Sequence, residues 1–65
     1  MTELDALAAR IRAEFREMPG LRLTPEQATK LWGLESEICR EIIERLVAAS
    51  FLRWTTTGAV ARLES

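Results

Sequence analysis

At 65 residues the chain has room for one domain, expected to span residues 1–65, and a chain so short buries only about 60% of the surface its unfolded form exposes. Its composition, 48% hydrophobic and 29% charged, is globular rather than disordered, but its net charge of −1 with no histidine lacks the basic excess usual in small nucleic-acid-binding domains. Its single cysteine forbids an internal disulfide, no run approaches the roughly 20 apolar residues of a membrane span, and the charged N-terminus is unlike a signal peptide, so a cytoplasmic protein is expected.

The first helix is expected from about Leu4 to Met18. Leu4, Leu7, Ala8, Ile11 and Phe15 recur at helical spacing and form one apolar stripe. Thr2 can cap this helix and Asp5 complements its dipole, while Arg10 and Glu14 are spaced to pair on the wet side. Pro19-Gly20 stops it. Leu21-Arg22-Leu23 then alternates as a three-residue strand, and Thr24-Pro25-Glu26-Gln27 is a strong helix start. Thr24 can accept a backbone N–H, Pro25 suits the first helical position, and Gln27 completes a capping box.

Helix two is expected to run to about Trp32, with Ala28, Leu31 and Trp32 facing the core. Gly33 stands where the chain needs a left-handed residue, and Leu34 closes the turn. Helix three is expected from Glu35 or Ser36 to about Ser50, with Cys39, Ile42, Ile43, Leu46 and Val47 as its apolar stripe. Phe51-Leu52 enters a strand, Thr55 to Gly58 makes a turn, and Ala59 to Leu63 returns. Ile42, Leu46, Leu34, Leu31, Ile11 and Phe15 are expected among the most buried side chains.

The stretch from Leu23 to Leu52 resembles the winged helix-turn-helix of IclR-type and MarR-type bacterial transcription regulators. The matching residues are Leu23-Thr24, Gly33-Leu34, Cys39, Ile42-Ile43 and Phe51-Leu52. The resemblance implies a mainly α fold, a three-helix winged helix-turn-helix with a short C-terminal β-hairpin wing. It implies also that the start of helix three enters the major groove of DNA. Two departures stand against that use. Ser36, Glu37, Arg40, Glu41 and Glu44 share the exposed face of helix three, with three acids against one base. Thr29 stands where these families usually place the alanine that lets helix two approach helix three, which suggests an offset by one residue to Ala28.

The candidate nucleic-acid contacts are Arg22, Lys30, Ser36, Glu37, Arg40, Arg53 and Arg62. The cations among them can position a phosphate backbone or stand as scattered solvated charge. Arg10, Arg12 and Arg16 on helix one are more distant candidates. Trp54, Glu41 and Glu44 are candidate partner contacts, although Trp54 can equally cap the small core beside Leu23 and Val60. Cys39 reads as a small buried residue rather than a redox sensor. With no nucleophile–base pairing, phosphate loop or metal-ligand cluster, neither enzymatic activity nor a cofactor is expected.

Two functions are left open by the sequence. One is a DNA-binding transcription-regulator module contacting double-stranded DNA. The other is a winged helix serving protein–protein interaction or homodimerisation through its acidic third helix and Trp-bearing wing. Short length favours a homodimer, with helix one, Leu63 or a wing strand as its seam.

Overall fold

The computed structural model describes residues 2–63. The chain forms α1 (Glu3–Glu17), β1 (Arg22–Leu23), α2 (Pro25–Trp32), α3 (Ser36–Ala48), β2 (Leu52–Trp54) and β3 (Val60–Arg62). The architecture is the expected one, mainly α with three helices and a C-terminal β-hairpin. The hairpin strand β3 lies in the middle of a three-stranded antiparallel sheet of order β1-β3-β2. Val60 sits opposite Leu23 on one side and Trp54 on the other.

Local chemistry fixes the first two helix starts. The Thr2 hydroxyl accepts from the Asp5 N–H at 3.1 Å, and the Asp5 carboxylate accepts from the Thr2 N–H at 3.3 Å. Thr24 and Gln27 form the same reciprocal capping box on α2, at 3.2 and 3.0 Å, with Pro25 opening the helix. Each box satisfies backbone donors that a helix start leaves without partners. Gly33 closes α2 at φ 64° and ψ 34°, the left-handed region where a side chain is penalised.

The core is one cluster built by all three helices and the hairpin. Ile11 and Phe15 from α1, Ala28 from α2, Cys39, Ile42, Ile43 and Leu46 from α3, and Leu52 and Val60 from the hairpin are buried. Leu4, Leu7 and Ala8 pack against it and are partly buried, so the chain itself covers the α1 stripe fully at Ile11 and Phe15 and in part at its start. Phe15 and Trp32 meet with ring centroids 6.2 Å apart, and the Trp32 indole nitrogen is buried without a hydrogen-bond partner among the described residues.

Four expectations are corrected. Leu31 is 57% exposed, because α2 spans barely two turns and its inward side is filled by Ala28 and Trp32, one turn apart. Leu34 is half-buried rather than fully buried, since it closes the turn at the edge of the core. Arg10 and Glu14 form no salt bridge, consistent with the weaker Arg-before-Glu order on an exposed helix face. Helix three stops at Ala48, two residues early. Ser50 turns to φ 60°, the Ser50 N–H donates to the Val47 carbonyl at 3.0 Å, and the Phe51 N–H donates to the Leu46 carbonyl at 2.9 Å. This is a Schellman ending with serine in the place glycine usually takes.

Candidate interaction surfaces

The first surface is the outward side of α3. Ser36, Glu37, Arg40, Glu41 and Glu44 are all exposed, as their helical spacing implies. The inward side is fixed by Cys39, Ile42, Ile43 and Leu46, so the three glutamates cannot turn away from whatever meets this helix. None of them has a salt-bridge partner among the described residues. The helix start is also acidic, with Glu35 at the N-cap making no side-chain cap hydrogen bond.

Beside this ridge lies a shallow groove of about 250 Å³ between the starts of α2 and α3, bounded by Pro25, Glu26, Thr29, Ser36, Glu37 and Arg40. The structure thus brings Ser36, Glu37 and Arg40 together, with Glu26 as a second carboxylate. The Thr29 hydroxyl donates to the Glu26 carbonyl at 2.7 Å. Ala28 rather than Thr29 is the fully buried residue of α2, in line with the expected offset.

Arg22 and Lys30 are brought together elsewhere, on an open groove of about 460 Å³ that also holds Leu23, Gln27 and Leu31. It joins α2 to β1 and puts the exposed Leu31 in one groove with two cations. Arg53 and Trp54 lie on β2, at the sheet edge opposite β1. Trp54 is 46% exposed and therefore does not close the core as one reading of its sequence position required. Its register partner Val60 is fully buried and belongs to the core cluster with Leu52.

Arg62 does not join Arg22 and Lys30. Instead its guanidinium carbon lies 5.9 Å from the ring centroid of Phe51, where Arg12 and Arg16 of α1 also stand, at 5.1 and 5.9 Å. Phe51 is held for this by backbone bonds on both sides, donating to Leu46 and accepting from the Leu63 N–H at 2.9 Å. Arg12 and Arg16 are one helical turn apart, which the sequence displays. That Phe51 and Arg62 meet them is long-range information that it does not.

Among the described residues, two titratable groups have pKa values displaced from the ordinary ones. Hydrogen bonds from Thr2, and then the charge of Arg45, hold the Asp5 carboxyl below its ordinary 3.8. Burial pushes the Cys39 thiol up, and its sulfur sits 3.9 Å from the Pro25 carbonyl oxygen. That is the environment of an inert packing residue. Comparison with protein-family models, curated proteins and solved structures finds no match to this chain. Among the described residues no helix is long and apolar enough to cross a membrane.

Proposed function

We propose that this chain is a small winged-helix protein-interaction module whose acidic third-helix face meets a basic protein surface. The winged-helix reading rests on the order of helix, short strand, helix, Gly33 turn, helix and hairpin. The observation that carries the functional reading is the outward line of Glu37, Glu41 and Glu44, unpaired among the described residues. Helix three is the element that a helix-turn-helix would press into the major groove. Like charges about 4 Å apart repel by roughly 1 kcal/mol in bulk water and about 4 kcal/mol near a protein surface. Three carboxylates brought near phosphates would therefore offset much of what the nearby cations gain. Against lysine or arginine side chains the same three carboxylates attract, and they steer encounter as well as bind.

Double-stranded DNA is the second reading, favoured by one specific arrangement. The capped start of α2 and the Gly33 turn set Ser36 and Arg40 along the groove at the head of α3, and Lys30 and Arg53 are exposed. A low-salt mobility shift with mixed duplex DNA separates the two. The protein-interaction reading expects no shift at micromolar protein. A shift that weakens similarly for all sequences when Lys30 or Arg53 is removed, with the salt slope falling by about one for each, supports DNA instead.

A further inference from the structure

The cluster around Phe51 has no part in that reading of α3. A guanidinium lying against an aromatic ring keeps its N–H edge free for an anion. Three of them gathered at one ring repel one another, and neither Arg12, Arg16 nor Arg62 has a salt-bridge partner among the described residues. The cluster therefore favours a ligand bearing several negative charges.

Its place on the molecule says which one. Asp5, Arg12 and Arg16 fall along one line of α1 by helical spacing. Asp5 is bridged to Arg45, on the α1-facing border of the outward side of α3. Beyond that bridge stand Glu44, Glu41 and Glu37. The Asp5–Arg45 bridge thus joins the line of α1 that carries Arg12 and Arg16 to the helix that carries Glu37, Glu41 and Glu44. A phosphate backbone needs a continuing track of cations, whereas here the cations give way to carboxylates. A second copy of the chain offers the matching partner. Turned about a two-fold axis near the Asp5–Arg45 bridge, each copy lays its patch on the other's ridge, and the two contacts are equivalent.

We infer that the chain forms a salt-sensitive, two-fold homodimer in which Arg12, Arg16 and Arg62 of each copy meet Glu37, Glu41 and Glu44 of the other. The inference rests on the protein-interaction reading and names its partner.

Sedimentation equilibrium over a hundredfold concentration range tests it by charge exchange. Wild type is expected to exceed 7.4 kDa at low salt and to approach 7.4 kDa as salt rises to about 1 M, where screening acts within about 3 Å. The Arg12→Glu/Arg16→Glu and Glu41→Arg/Glu44→Arg variants should each stay monomeric, and their equimolar mixture should recover the dimer, because one contact is restored with its signs reversed and the other is the native pairing. Circular dichroism establishes that each variant is folded. Should either charge reversal unfold the chain, the neutral variants Arg12→Gln/Arg16→Gln and Glu41→Gln/Glu44→Gln replace them, each expected to weaken the dimer at least tenfold.

A wild-type mass of 7.4 kDa at low salt overturns the dimer. If Glu37, Glu41 and Glu44 then still bind a lysine-rich peptide, the wider protein-interaction reading stands without it. A dimer that persists in both variants has another seam, and a mass climbing beyond two copies is an open chain; either result overturns the proposed pairing. A shift of duplex DNA that Arg12→Gln/Arg16→Gln abolishes assigns the cluster to phosphate and overturns it too.

Discussion

Arg45 donates to the Asp5 carboxylate at 2.9 Å and so ties the last turn of α3 to the first turn of α1. Among the described residues it is the one salt bridge, and both partners are about half exposed. Asp5 also carries the cap of α1, so one carboxylate holds a helix start and an inter-helix contact together.

A pH dependence follows, with a definite sign. Because the folded-state pKa of Asp5 is depressed by Thr2 and Arg45, its contribution is present above the ordinary value of 3.8. It is lost as pH falls through the lower, folded value. Thermal melts between about pH 6 and pH 2 should show wild type losing more stability on acidification than Asp5→Asn. Equal losses would mean that the cap and bridge contribute nothing in solution.

Ser50 offers a stabilising substitution. Its φ of 60° is left-handed, where a non-glycine residue costs roughly 1–2 kcal/mol. Ser50→Gly keeps the two closing hydrogen bonds and relieves that cost, although glycine is also freer when unfolded. A gain of about 1 kcal/mol in unfolding free energy is expected, read as a raised urea midpoint at unchanged m. A loss would show that helix three ends differently.

Leu46 belongs to the buried core cluster and its carbonyl receives the Phe51 N–H. Leu46→Ala should cost about 2–5 kcal/mol through lost burial and a residual cavity. A chain this size has a total stability of roughly 3–10 kcal/mol, so the variant should lose a large share of it and melt at a clearly lower temperature by circular dichroism.

Cys39 should react slowly with a thiol reagent at neutral pH, since it is fully buried with its pKa raised. Unfolding in urea should accelerate the reaction at least a hundredfold. Rapid modification of the folded chain would contradict the packing of α2 on α3.

What the sequence made legible was local. Thr2 with Asp5, Thr24 with Gln27, and Gly33 each encode a helix end within four residues, and the stripe of α3 encodes its inward side. The end of α3 was not legible, because Ser50 in a left-handed conformation carries no glycine signal. Leu31 was misplaced because periodicity over eight residues cannot decide between two inward sides. The outward acids of α3 were readable from spacing. The meeting of Arg12, Arg16 and Arg62 at Phe51 was not, since it joins α1 to β3 across most of the chain.

The acidic face of α3 is tested most directly by nuclear magnetic resonance titration of isotope-labelled protein at low salt. Mixed duplex DNA and a lysine-rich peptide would be added to parallel samples. The peptide is expected to move the amide signals of Glu37, Glu41 and Glu44, added salt to reverse the movement, and DNA in excess to leave those signals unmoved. Salt-dependent movement of Ser36, Arg40, Lys30 and Arg53 with DNA, and none with the peptide, would contradict the protein-interaction reading.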